Sequence, residues 1–235
     1  LNSPLLQFVP LCVGGIVAVF TGLDRTALLQ VLISRPLVAG PLVGWLLGVP
    51  ENGLLIGALT ELLWLGRLPV GAAIPPDDTQ VAVAATTLTV LLGGGQEYAA
   101  EPLSMFCLLL SMPPAKVGQL FDRWARERNG RLQKRAEEAI EAGCDQVLER
   151  LHLTGLLHFG IASLATYLII VVFGGLAGEF LLPLTMPALD PVSSRIEFVF
   201  PVVGAAVILV TMNVSRAWTL FSASFLTVFL VLWLI

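Results

Sequence analysis

Charge is scarce in this sequence. Asp, Glu, Lys and Arg make up 13% of its 235 residues, about half the share usual in a soluble domain. Cysteine and histidine are scarcer. Cys12, Cys107 and Cys144 are an odd number without ligand spacing, and His152 and His158 have no acidic or cysteine partner in register. These absences exclude a disulfide framework and a metal centre, and the cysteines read as small hydrophobes. There is no glycine-rich loop of the Walker type and no Gly-x-Ser-x-Gly elbow. No cofactor and no catalytic residue is therefore expected. Gly93-Gly94-Gly95 ends a helix and opens a loop, for which turn chemistry is sufficient.

What the sequence has instead is apolar surface, 56% of its residues, gathered into runs. Residues 4–23 contain no ionisable side chain except Cys12, and residues 217–235 contain none. Each run is close to the ~20 residues that carry a helix across ~30 Å of hydrocarbon. Lipid offers the backbone no hydrogen bonds, so such runs become helices. Residues 153–178 are long enough to span with some tilt. No Lys or Arg precedes the first run, so it reads as a span and not as a signal peptide. The expected fold class is all-α: a polytopic membrane protein with long spans plus short, broken or re-entrant helical segments.

Three parts follow along the chain. Residues 1–115 form a first membrane half with broken helices. Residues 36–49 and 53–66 are each too short to cross comfortably and rich in glycine, residues 102–115 are short again, and Arg67, Pro69, Gly71, Pro75 and Pro76 interrupt the chain before a helix resumes near Thr79. Broken apolar segments persist where they line a cavity or are covered by protein, and in transporters they surround binding sites. Residues 116–152 are a polar, partly helical connector. Residues 116–150 hold eight of the thirteen basic residues interleaved with seven carboxylates. This part is expected to face the cytoplasm, with an amphipathic helix over 131–151 that sets Leu132, Ala136, Ile140 and Val147 against charges. Its mixed signs cancel the field that a nucleic-acid backbone needs. Residues 153–235 form a second membrane half: a span over 153–178, a proline-containing connection over 180–190, and near-consecutive helices over 198–215 and 217–235.

Ionisable groups among apolar residues cost several kcal/mol unless paired or wetted, so each is a functional candidate. Glu61 lies between leucines and shares a helix face with Gly57 and Trp64. Its carboxylate can accept sugar hydroxyls, with Gly57 admitting ligand or backbone; alternatively it pairs with Arg35 or Arg67. Asp77 and Asp78 follow Pro75-Pro76. One is expected to cap the helix that starts near Thr79, leaving the other free for a polar ligand. Asn213, ahead of Ser215 and Arg216, is both donor and acceptor, which suits a hydroxyl, a helix–helix bridge or a helix end. Asp24, Arg25 and Arg35 bracket a short amphipathic piece over 26–34 and are expected to anchor an interface.

Residues 23–86 resemble the membrane subunit IIC of the mannose/fructose/sorbose family of bacterial sugar phosphotransferase systems. The resemblance rests on Leu23-Asp24, Ser34-Arg35-Pro36-Leu37, Gly44, Gly48, Gly53, Gly57-x-x-x-Glu61-x-x-x-Leu65-Gly66 and Gly71-Ala72-Ala73-Ile74-Pro75-Pro76-Asp77, with Asn213-Val-Ser-Arg216-Ala217 near the other end. Arg67-Leu68-Pro69, Asp78 and the charged connector depart from the family pattern. The resemblance implies a multi-pass permease in a bacterial cytoplasmic (inner) membrane, not an enzyme on its own. It implies higher-order assembly with a IID membrane subunit, soluble IIA and IIB phosphotransferase proteins as partners, and elevator-like movement of a sugar that IIB phosphorylates. Glu61, Asp77 and Asn213 are the implied sugar contacts. Two other readings stay open: a permease-derived sensor or scaffold docking soluble proteins on the connector, and an ion-coupled secondary transporter.

Overall fold

The computed structural model describes residues 4–65, 74–94, 99–192, 198–211 and 216–234. Its α-helices are α1 (Pro4–Thr26), α2 (Pro36–Leu47), α3 (Pro50–Trp64), α4 (Asp78–Gly93), α5 (Ala100–Ser111), α6 (Gly118–Glu141), α7 (Asp145–Leu189), α8 (Val199–Thr211) and α9 (Ala217–Leu234). Short 3-10 turns cover Pro114–Val117 and Asp190–Val192, and no strand occurs among the described residues.

The broken first half folds as a hairpin of short helices. Pro36 and Pro50 open α2 and α3, a position where the missing N–H costs no intrahelical bond. At 12 and 15 residues, these helices reach about 18 and 22 Å, short of the hydrocarbon thickness. Gly48 and Val49 form the turn between them. Their backbones touch: a Cβ on Gly40 would fall 2.5 Å from the Gly53 carbonyl oxygen, and one on Gly44 would fall 2.7 Å from that of Val49. Gly57 faces the Pro36 carbonyl in the same seam. Small residues of this kind are what let apolar helices approach closely where water supplies no driving force. Gly57 thus admits backbone.

α4 lies at the centre. Its side chains from Thr79 to Thr89 are all buried, and it packs against α1, α2, α3, α5 and α7. An interior helix carrying threonines must satisfy their hydroxyls locally. Thr86 and Thr87 do so by donating to the Ala82 and Val83 carbonyls at 2.8 and 2.9 Å. Tyr167 of α7 is fully buried beside it and donates to the Leu11 carbonyl of α1 at 3.2 Å. Asn52 ties α3 to α5 through Ser104 at 2.9 Å.

α7 differs from the expected division. It runs unbroken for 45 residues, about 67 Å and so roughly twice the hydrocarbon thickness. The proline-containing stretch expected as a connection remains helical through Pro183 and Pro187. Leu182 and Met186 are buried against the core there, and that packing outweighs the backbone bonds the prolines remove. The amphipathic helix expected over 131–151 is instead two helices. Gly143, at φ +67°, ends α6 with a Cys144 N–H to Ala139 carbonyl bond of 2.9 Å, and α7 starts at Asp145. Leu132 and Ala136 face α7, whereas Ile140 and Val147 are exposed.

A stripe of exposed apolar side chains runs along α7: Leu157, Ile161, Leu168, Val172, Leu176 and Phe180. α9 exposes Phe225, Leu226, Val228, Phe229, Leu230 and Val231. Surface of this extent is not sustained in water. Residues 8–26 of α1 and the apolar length of α7 are long enough to cross a bilayer, and the molecule is a helical membrane protein.

Candidate functional site

Arg25 meets Asp77 and Asp78 where α1 ends and α4 begins, and Arg35 meets Glu61 in the last turn of α3. Asp77 caps α4, its Oδ1 accepting from the Gln80 N–H at 3.1 Å. This assigns the expected cap to Asp77. With the cap taken by Asp77, Asp78 would be the carboxylate left for a ligand, but it is not free. The Arg25 guanidinium at the end of α1 reaches both: Nη1 donates to Asp77 Oδ1 at 2.9 Å and also pairs with Asp78 Oδ1. The same nitrogen donates to Thr79 Oγ1 at 3.1 Å. Arg25, expected as an interface anchor, is therefore part of the candidate site.

Glu61 meets Arg35, as one of its two structural alternatives foresaw. Arg35 Nη1 lies 3.1 Å from Glu61 Oε1, and Glu61 Oε2 accepts from the Leu37 N–H at 3.4 Å. The second bond satisfies an orphan donor in the first turn of α2, so Glu61 caps a helix other than its own. Its one-turn offset from Gly57 makes this possible, because Gly57 brings the two backbones into contact. Arg67, the other alternative partner, lies outside the described residues, as does Asn213.

The two acidic positions are joined by one strip of chain, Ser34-Arg35. Thr79 Oγ1 donates to the Ser34 carbonyl at 2.5 Å, tying the strip to α4, and Arg35 ties it to α3. The preceding residues were expected as an amphipathic piece but form no helix. Leu29, Gln30 and Leu32 sit at φ 60°, 55° and 69°, the left-handed region that side chains disfavour. Buried Asp24 holds this turn, accepting from the Val31 and Ser34 N–H groups at 2.8 and 2.9 Å. On the far side, Gln119 of α6 donates to the Ile74 carbonyl at 2.7 Å and fixes the approach to Pro75-Pro76.

Arg25, Asp77 and Asp78 keep 27%, 22% and 20% of their side-chain surface exposed, and Glu61 keeps 17%. They are accessible without being fully solvated, which favours short charge-assisted bonds. A carboxylate bonded by one guanidinium retains acceptor sites, so the cluster can receive hydroxyl donors. Two clefts lined by described residues lie elsewhere. One is between α6 and α7 beside Asn129 and His152, the other between α5 and α7 beside Phe106 and Leu184, and neither is lined by Glu61 or Asp77. His158 Nδ1 faces Asn129 Oδ1 at 2.7 Å, and its ring sits edge-on to Trp124. Among the described residues no cluster of His, Cys, Asp and Glu could hold a metal.

Sequence reading identified Glu61 and Asp77 as acidic residues needing partners and missed Arg25. A signal was present. Residues 1–115 hold only Arg25, Arg35 and Arg67 as cations against a larger number of carboxylates, so an acidic pair such as Asp77-Asp78 had few possible neutralising partners.

Comparison with known proteins agrees with this architecture. The family profile described as the PTS system sorbose-specific IIC component matches residues 8–234. The mannose-specific EIIC component of Escherichia coli K12 is 28% identical over 152 residues, which are 65% of this chain and 51% of that protein. The sorbose-specific EIIC component of Lacticaseibacillus casei is 31% identical over 52% of this chain and 42% of its own length. The fructose permease IIC component of Bacillus subtilis is 27% identical over 90% of this chain and 75% of its own. These matches span about half the length of the mannose- and sorbose-specific relatives. Two solved structures share the fold at 22% identity. One, titled only as a membrane protein, has a TM-score of 0.65 over 97% of this chain and 87% of its own. The other, the mannose transporter ManYZ in complex with microcin E492, has a TM-score of 0.53 over 96% and 86%. With nearly its whole length matched by one profile, the chain belongs to the sorbose-specific IIC component family of the sugar phosphotransferase system.

Proposed function

We propose that the chain is the membrane permease subunit of a phosphoenolpyruvate-dependent sugar phosphotransferase system of the mannose/fructose/sorbose type. It binds a sugar and carries it across a bacterial cytoplasmic membrane for phosphorylation by a separate IIB protein. The observation that carries this reading is the family match over residues 8–234. It is supported by acidic side chains held at helix ends in the matched region. A IID membrane subunit is the partner, in keeping with the fold shared with ManYZ, and soluble IIA and IIB proteins supply the phosphoryl group. The three parts of the chain take distinct roles: residues 1–115 hold the substrate motif with Glu61 and Asp77, 116–152 face the cytoplasm, and 153–235 complete the membrane body and contribute Asn213.

Glu61, Asp77 and Asn213 are the sugar contacts in this reading. Arg35 keeps 55% of its side chain exposed, so it can yield Glu61 to a ligand at little desolvation cost. Sugar hydroxyls then donate to the carboxylates, and an amide at Asn213 both donates and accepts. Once IIB has phosphorylated the sugar, the product carries a charge that cannot return through an apolar barrier. No catalytic group of this chain is required.

The test is uptake of labelled mannose, fructose, sorbose and N-acetylgalactosamine by proteoliposomes containing the chain with its IID partner. Phosphorylated sugar should collect at the IIB face only when phosphoenolpyruvate and the soluble proteins are present. Uptake of unmodified sugar by the chain alone, abolished by collapsing an ion gradient, would instead establish a secondary transporter. Absence of flux with retained binding of a soluble partner to residues 116–150 would establish a sensor.

A further inference from the structure

Asp77 and Asp78 are adjacent carboxylates that share one cation. Without it, two like charges would face each other at the start of α4 with no cation between them. The Arg25 contacts have a specific form. Its hydrogen bonds to described residues all leave from Nη1, which reaches Asp77, Asp78 and Thr79 together. Thr79 passes the connection on to the Ser34 carbonyl, beside the residue that holds Glu61. One nitrogen at the end of α1 thus fixes both carboxylates relative to the Ser34-Arg35 strip.

We propose that Arg25 is the positioning residue of the sugar site: its Nη1 holds Asp77 and Asp78 together against the Ser34-Arg35 strip and so sets Asp77 where it can accept a hydroxyl. This rests on the sugar-binding reading given above. Another charge within electrostatic reach of the group is Asp122 of α6, itself paired with Arg126 at 2.6 Å. Asp122 adds negative charge on the side facing the connector and so increases the need for a cation at Arg25. The uneven charge count also explains why removing Arg25 should be reversed by removing Asp78. A single remaining carboxylate has no twin to repel it.

The experiment is equilibrium binding of labelled mannose, fructose, sorbose and N-acetylgalactosamine to the full chain in nanodiscs at pH 7.5. Arg25→Gln should weaken binding about tenfold, the effect of losing roughly one hydrogen bond to a charged group. Arg25→Lys should restore most affinity, since an ammonium also directs several donors from one nitrogen. Arg25→Gln with Asp78→Asn should recover most of the affinity, because the lone carboxylate has no twin to displace it, and this pair carries the test if the single variant does not insert. Wild-type affinity in Arg25→Gln overturns the proposal and leaves the sugar site standing. So does loss of binding in Arg25→Gln that is rescued neither by lysine at that position nor by the added Asp78→Asn change, which is the behaviour of a purely structural residue. No saturable binding of any of the four sugars by wild type overturns the sugar reading and the proposal together.

Discussion

Glu61 and Asp77 each serve a helix end in this structure, Glu61 across the hairpin at Leu37 and Asp77 at its own Gln80. Replacing either by its amide keeps the shape and an acceptor oxygen but removes the charge that strengthens those bonds. Glu61→Gln and Asp77→Asn should therefore insert and assemble normally, at a cost of about 1 kcal/mol in stability. Sugar affinity should fall further, because an amide offers fewer acceptor sites to hydroxyl donors. Comparable yield and size-exclusion profile with weakened binding is the expected outcome; wild-type affinity in both variants would remove these residues from the site. Sequence alone showed that both carboxylates needed partners, since the surroundings of Glu61 are leucines and Asp77 follows two prolines. For Glu61 it offered Arg35 or Arg67 without choosing between them, and for Asp77 it did not offer Arg25. The Arg25–Asp77 pair joins residues 52 positions apart, and nothing local in the sequence carries that separation.

The hairpin of α2 and α3 shows what element-level patterns reveal. Their shortness was legible from the apolar runs 36–49 and 53–66, the second of which the structure extends back to Pro50. The use of Gly57 was not, because a glycine near a carboxylate reads equally well as room for a ligand or as room for backbone. The structure chooses backbone, with Gly40, Gly44, Gly53 and Gly57 forming one seam. The length of α7 was missed for the opposite reason: proline argues for a break, and only packing of Leu182 and Met186 against the core keeps the helix continuous. Gly53→Val should therefore separate α2 from α3, with a destabilisation of about 3 kcal/mol from overpacking against a carbonyl that cannot move. Because Glu61 reaches Leu37 only across this seam, the same variant should also lose sugar binding while Glu61 itself is intact. A lowered unfolding midpoint in detergent together with lost binding is expected. Unchanged stability would mean that the backbones are not in contact as described.

At the scale of the whole molecule, α6 and the first turns of α7 form a polar hairpin, and the rest of α7 continues into the apolar body as one rigid rod. The orientation of that rod fixes the orientation of the protein. Most basic residues lie on the hairpin, so the bias that sets topology predicts that it faces the cytoplasm. Cys144 stands exposed at the turn between α6 and α7, at the extreme of the hairpin, and reports its side directly. In a Cys12→Ser background, with Cys107 buried, a membrane-impermeant maleimide should label Cys144 in inside-out vesicles and leave it unlabelled in right-side-out vesicles. Cys107 should react only after denaturation. The result bears on the proposed function, in which a phosphoryl-donating protein meets the sugar only on the cytoplasmic face. The Ile74 carbonyl, next to Pro75-Pro76 and Asp77, is bonded by Gln119 at the base of this same hairpin. Labelling from the outside would put that end of the Asp77 approach away from the phosphoryl donor, and phosphorylation-coupled release could not then occur beside it.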